Sequence, residues 1–266
     1  MKKHLATIKH EEITVECGMG MRPSFYEWIR SSWTVSPKTK SKANRARSGE
    51  VISADFDYKA QRAIIFSTAL ITECTFPAFD ASSKEPAYLT IKWNPERLRH
   101  EKLTGERISA KTGTKTRKWL TSGFTFTLGD LPCDRVSKID SFSLKQTVIE
   151  DRAGKTRTRT KQPGKLEVPN LKVTFSATDA GSWEDWFTSF VIDGKCTDSD
   201  ELNGQITILG HDHKEVLGRI ELSHVGIISL EPARYNAKKE KITRMAAELY
   251  VEEMKLNFNV VKSLSR

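Results

Sequence analysis

The sequence predicts a mainly β protein made of two tandem modules, each a β-sandwich or barrel with one short helix. Three observations predict it. Apolar residues alternate with polar ones in many short stretches, the period-two mark of half-buried strands. In two places this alternation gives way to aromatic residues spaced i, i+3, i+4, the mark of a short amphipathic helix. Those two places align with each other without a gap, at an offset of 158 residues that carries Ile13 to Leu171 and Trp28 to Trp186.

The first module opens on Ile13, Val15 and Cys17, which alternate as a strand. A turn-rich stretch, Gly18 to Pro23, leads to Phe25, Trp28 and Ile29 on one helix face. In the second copy Leu171, Val173 and Phe175 make the strand, Ser176 to Gly181 the turn, and Trp183, Trp186, Phe187 and Phe190 the helix face. Ser24 and Ser182 stand near the helix starts as capping candidates. Trp28 and Trp186 are expected at equivalent core positions. A second block repeats at an offset of 155: Ser48-Gly49-Glu50-Val51 matches Asn203-Gly204-Gln205-Ile206, and Asp57, Lys59, Ile65, Leu70 and Pro77 match Asp212, Lys214, Ile220, Val225 and Pro232. Both blocks read as hairpins with charged turns. A duplication explains the matches economically.

The second module carries more chain at its start. Phe124, Phe126 and Leu128 alternate, as do Phe142, Leu144, Gln146 and Val148, with the turn signal Gly129-Asp130-Leu131-Pro132 between them. They are expected to form an opening strand pair. The closing strand falls on Met254, Leu256, Phe258 and Val260. The first module has no such opening pair and is expected to expose an unpaired edge. The expected domains are residues 1–98, a charged linker at 99–120 that holds Gly105 and Gly113, and residues 121–266.

Composition narrows the function classes. The 266 residues suit one large or two small domains, and 38% hydrophobic with 29% charged residues indicates a folded globular chain. No apolar run approaches the ~20 residues of a membrane span. Met1 to Leu5 is basic without a following apolar stretch, so no secretion signal is expected and the cytoplasm is the default location. Cys17, Cys74, Cys133 and Cys196 are scattered without any C-x-x-C pair and read as buried or half-buried free thiols. The net charge of +9 concentrates in Lys38–Arg47, Lys111–Lys118 and Lys155–Lys161. These runs are rich in Thr, Ser and Gly and poor in aromatics, so they read as solvated loops. A basic nucleic-acid-binding protein using these loops is the alternative reading.

The order of elements resembles the tail-tube protein family of contractile phages and related bacterial injection systems. The resemblance rests on Gln162-Pro163-Gly164-Lys165 ahead of the strand Leu171–Phe175, on Trp186 within the helix Ser182–Val191, and on Glu201–Ile208 and Leu217–Leu230 as later strands. In the first copy it rests on the stretch from Lys2 to Val15 and on Phe25–Ile29, with Phe79–Lys84 also similar to tail proteins of this type. It implies a non-enzymatic structural subunit of a ring around a lumen, assembled in the cytoplasm of the producing cell and then part of a particle. Adjacent tube, sheath or baseplate proteins would be its partners, and nucleic acid at most a lumen cargo. Ordinary tube subunits carry one module, whereas some baseplate hub proteins carry two and trimerise. Three such chains supply six modules, so a trimer at a tube end or hub is the expected ring, with a ring of six chains the other arrangement.

No catalytic, cofactor-binding or metal-ligating set is expected. His211-Asp212-His213 offers two imidazoles on one strand face, but it reads as a hairpin tip without a third ligand. Gly18-Met19-Gly20-Met21 lacks the further glycine and the Lys-Ser/Thr ending of a phosphate loop. Trp28, Trp183 and Trp186 read as core residues rather than ligand-stacking ones.

Overall fold

The computed structural model describes residues 9–33, 45–108, 119–151, 159–233 and 243–258. Among them the fold is mainly β: fourteen strands form two seven-stranded sheets, with two α-helices against them.

The first half begins with β1 (Ile13–Cys17) and α1 (Pro23–Trp33), followed by the hairpin β2 (Arg47–Ala54) and β3 (Ala60–Phe76). After the short β4 (Phe79–Asp80), β5 (Leu89–Asn94) and β6 (Arg97–Lys102) run back along β3 one after the other. The second half holds β11 (Leu171–Ser176), α2 (Ala180–Phe187), the hairpin β12 (Leu202–Gly210) and β13 (Val216–Pro232), and the long β14 (Arg244–Phe258). The two halves match strand for strand, with β5 and β6 together standing where β14 stands. Both β3 and β13 have 17 residues.

The match extends to register and irregularity. Ile13, Val15 and Cys17 face Trp93, Ile91 and Leu89, while Leu171, Val173 and Phe175 face Leu249, Ala247 and Met245. The ladder between β3 and β5 shifts at Thr72, and that between β13 and β14 shifts at Ile228. Thr68 and His224 both have positive φ, 51° and 54°, and so do Tyr58 and His213 at 60° and 55°. The amide of Thr68 donates to Ser48 Oγ (3.1 Å), and that of His224 to Asn203 Oδ1 (3.3 Å). Irregularities of this kind are specific features of a β-ladder. Their recurrence at matching places supports the duplication more firmly than shared apolar periodicity does.

The elements between the halves behave differently from the sequence expectation. Phe124–Leu128 lies in β7 (Trp119–Leu128) and Phe142–Val148 in β9 (Phe142–Asp151), but these strands do not pair with each other. β7 pairs with β12 in the second sheet, whereas β9 pairs with β3 and with β10 (Thr160–Glu167) in the first. The reason is β8 (Val136–Ile139), which follows the Gly129–Pro132 turn and adds to β11. The chain therefore leaves the second sheet before β9 begins. β4 makes the reverse crossing, since Phe79 faces Ile139. The stretch from 99 to 120 is strand at both ends, in β6 and β7, and 109–118 lies outside the described residues.

One contiguous apolar cluster draws on both sheets and both helices. Trp28 is 3% exposed, and its indole Nε1 donates to the Arg45 carbonyl at 2.8 Å. Trp186 is only half-buried, against Trp183 at 6.1 Å. The fully buried indole of α2 is Trp183, which stacks on Phe175 at 4.5 Å and donates to the Pro132 carbonyl. Neither Ser24 nor Ser182 caps. Pro23 supplies the first helical residue of α1, where its lack of an N–H costs nothing, and a 3-10 turn over Ala177–Asp179 leads into α2.

Candidate assembly surface

The β9–β10 hairpin is an arm that reaches from the second half of the chain onto the first half's sheet. Its inward positions alternate, with the apolar Phe142 and Leu144 and the polar Gln146 at most 5% exposed. Phe142 faces Phe76 and Leu144 faces Cys74 across the ladder. The rings of Phe76 and Phe142 stack at 5.1 Å, and the hydroxyls of Thr75 and Ser143 share a hydrogen bond of 2.7 Å. Beneath β10 the Lys161 side chain is buried; its ammonium donates to Asn94 Oδ1 and, at 2.8 Å, to the Pro95 carbonyl. The Lys161 amide donates to Glu96 (2.5 Å). Burial pushes the Lys161 amine below the usual lysine value, with Glu150 and Glu96 opposing that shift. Glu150 is itself held below the usual carboxylate range, first by its hydrogen bond from Arg159. Gly164 closes the arm: a Cβ there would collide with the Thr147 side chain and carbonyl. The Pro163–Gly164 pair stands at the register shift inside β10, between Pro163 and Leu166.

This arm occupies the edge that the sequence leaves bare in the first module. β9 adds to β3 at Glu73–Phe76, on the side opposite β5. In the second half β13 pairs with β14 along its length, but with β12 only as far as Val225. Among the described residues no strand takes the place beside Ser229–Pro232 that β9 takes beside Glu73–Phe76.

The polar clusters among the described residues are engaged in turns and in ties between strands. His211-Asp212-His213 is the β12–β13 turn, exposed throughout, where Asp212 Oδ1 accepts the amides of Lys214 and Glu215. Those two hydrogen bonds hold its carboxyl below the usual range. In the first module Asp55, not Asp57, performs this task, accepting from the amides of Asp57 and Lys59. Sequence reasoning missed a second group, Glu201, His224 and Glu252, whose ligand atoms lie within 4.8 Å of one another. Glu201 is committed there to the Tyr250 hydroxyl (2.6 Å) and His224 Nδ1 (2.8 Å), which tie β12, β13 and β14 together. No spacing motif signals it, because His224 and Glu252 come from β13 and β14 and Glu201 from just before β12.

An apolar groove runs between the Gly18–Met21 turn and Ala87, Tyr88 and Trp119. Its one thiol, Cys17, is pushed up to about 11 by burial and is no nucleophile at neutral pH. Cys74 and Cys133 are buried, whereas Cys196 is exposed, against the expectation of four sheltered thiols.

Most of the three basic runs lies outside the described residues. Their described ends are engaged: Arg45 and Lys161 are buried, and Arg159 pairs with Glu150. The β2–β3 turn presents Tyr58 and the 99% exposed Phe56 instead; the matching positions, His213 and His211, are polar. The two modules share a frame and differ in what their tips offer.

Solved structures resemble about half of this chain. A chain of the sheath–tube complex of the PVC extracellular contractile injection system matches at 17% identity over 51% of this chain and 88% of its own, with a TM-score of 0.41. The tube-terminating cap of the anti-feeding prophage matches at 18% over 59% and 99%, with a TM-score of 0.43. Hcp1 from Flavobacterium johnsoniae matches at 7% over 51% and 95%, with a TM-score of 0.31. No protein-family model and no curated protein matches the sequence. Among the described residues no helix is long and apolar enough to cross a membrane.

Proposed function

We propose that this chain is a non-enzymatic structural subunit of a phage-tail-like or contractile injection system tube, forming a ring around a lumen at a tube end or baseplate hub. The observation that carries the reading is the arm: one module hands a two-stranded ladder to the edge of its repeated neighbour within the same chain. Edge pairing of this kind between chains would give a heterologous contact that closes into a ring if the rotation permits. The modules span about 1–98 and 121–266, with 99–120 connecting them and the β9–β10 arm crossing back. Three chains supply six modules, so the ring is a trimer. Its partners are adjacent tube, sheath or baseplate proteins, with nucleic acid only as cargo. It assembles in the producing cell's cytoplasm and ends in a tail or extracellular particle. Negative-stain imaging of the purified protein tests this, with rings or short tubes with a central hole as the expected result. A monomer at high concentration overturns it. So does nucleic-acid affinity that falls by decades over a few-fold rise in salt, because that slope marks phosphate contacts.

A further inference from the structure

The groups around the buried end of Lys161 form a reactive set. Lys161 is 3% exposed, on β10, the outer strand of the arm. Its amine meets the side-chain amide of Asn94 at the end of β5 and the Pro95 carbonyl at 2.8 Å. Glu150 faces Lys161 across the β9–β10 ladder and places Oε1 3.9 Å from the same amine. Its other oxygen, Oε2, is held by Arg159. An amine, a primary amide and a carboxylate are thus gathered from three strands, with Lys161 and Asn94 separated by 67 residues of chain.

Each group suits the exchange of one amide for another. A lysine amine is a nucleophile only when unprotonated, and desolvation favours that form. Burial holds the Lys161 amine below the usual lysine value. A primary amide is a weak electrophile, but here the fold keeps amine and amide in contact, which removes the entropic cost of their encounter. Glu150 stands where it can carry a proton between the attacking and departing nitrogens, and such contacts tighten as the transition state forms. Pro95 follows Asn94, so the backbone nitrogen that commonly attacks an asparagine amide carries no hydrogen here. Loss of ammonia at Asn94 would therefore report attack by a side chain.

We propose that Lys161 and Asn94 form an intramolecular isopeptide bond, with Glu150 carrying the proton. Lys161 Nζ attacks Asn94 Cγ, and the Nζ–Cγ bond forms. Glu150 takes a proton from Nζ and passes it to Asn94 Nδ2. The Cγ–Nδ2 bond then breaks and ammonia leaves; nothing is oxidised or reduced. The bond welds the outer strand of the arm to the β5–β6 corner, so the second half of the chain is fixed to the first sheet by a link that reductants do not open. A cross-link over a long loop acts chiefly by narrowing the unfolded ensemble, as a disulfide does. The proposal stands independently of the ring assignment.

Mass spectrometry of the intact, denatured full chain is expected to find it lighter than its sequence by one ammonia. Proteolysis and fragmentation should yield a branched peptide that joins Asn94 to Lys161. Lys161→Arg and Asn94→Ala are each expected to restore the full sequence mass. In a time course after cell-free synthesis, Glu150→Gln is expected to close about 100-fold more slowly than the unaltered chain, with circular dichroism showing the same fold. A folded, unaltered chain that stays at its full sequence mass after prolonged incubation at neutral pH overturns the proposal. So does ammonia loss that survives Lys161→Arg, or a branch at another pair of residues. Closure of Glu150→Gln at the unaltered rate overturns the role given to Glu150.

Discussion

Thr68 and His224 occupy the same left-handed backbone position, yet only one has a reason in its side chain. His224 spends its ring on Glu201 at 2.8 Å, while Thr68 contributes an amide to Ser48 Oγ. A β-branched residue at φ 51° is strained by roughly 1–2 kcal/mol. Thr68→Gly is therefore expected to raise stability by about 1 kcal/mol in urea unfolding, whereas His224→Gly gains no such benefit because it also loses the Glu201 contact. The tryptophans separate in the same way. Trp183→Ala is expected to cost ~3–5 kcal/mol, and Trp186→Ala clearly less, since Trp186 is only partly buried. Sequence spacing alone paired Trp28 with Trp186; burial depends on which sheet residue lies beneath, and Phe175 lies beneath Trp183. A third residue sets part of the acid limb. Burial alone would push the Glu73 carboxyl up, but the Lys92 ammonium at 2.6 Å, with the Thr75 and Ser143 hydroxyls, leaves it below the usual glutamate value of 4.5. A depressed folded pKa means the contribution is present above 4.5 and lost as pH falls through the folded value. Glu73→Gln should flatten the decline of the urea midpoint over that window and change little at pH 7 beyond a constant offset.

At the scale of elements, the repeated strand–helix–hairpin order was legible because each piece is local. Period two, the switch to helical spacing and the Gly49/Gly204 match all sit within short windows. Gly204 was readable as a repeat but not as a constraint: a Cβ there would meet the Thr127 carbonyl of β7, a strand far away in sequence. Gly204→Val should accordingly cost ~1–3 kcal/mol by forcing β7 from β12. The pairing of β7 with β9 was misjudged for a matching reason. A turn signal between two alternating stretches argues for a hairpin, and nothing in Val136–Ile139 announces a four-residue strand that diverts the chain. The arm's anchor was equally hidden, since Lys161 ends a run that reads as solvated charge. Its burial follows from Asn94 and Pro95, contributed by the β5–β6 corner. Lys161→Ala should cost about 2 kcal/mol, because it leaves the Pro95 carbonyl without its donor. Hydrogen exchange should then rise first in β9 and β10.

For the molecule as a whole, the mainly β fold class was within reach of the sequence, and the crossing of β4 and β9 between sheets was not. A trimeric ring is expected to scatter light as three chains of 30.1 kDa, and a mass of six chains would replace it with the larger ring. The arm also sets an order in time. β3 ends at Phe76, but the strand that covers its edge begins at Phe142 and its anchor is Lys161. At synthesis rates of about 5–20 residues per second, that edge emerges from the ribosome roughly 5–20 s before its cover is complete. During this interval the first module is an unfinished sheet able to recruit a strand from another nascent chain. Neighbouring ribosomes on one messenger would hold such chains close together, so the same edge pairing that completes the monomer also gives crowded translation a route to mispaired, aggregating chains.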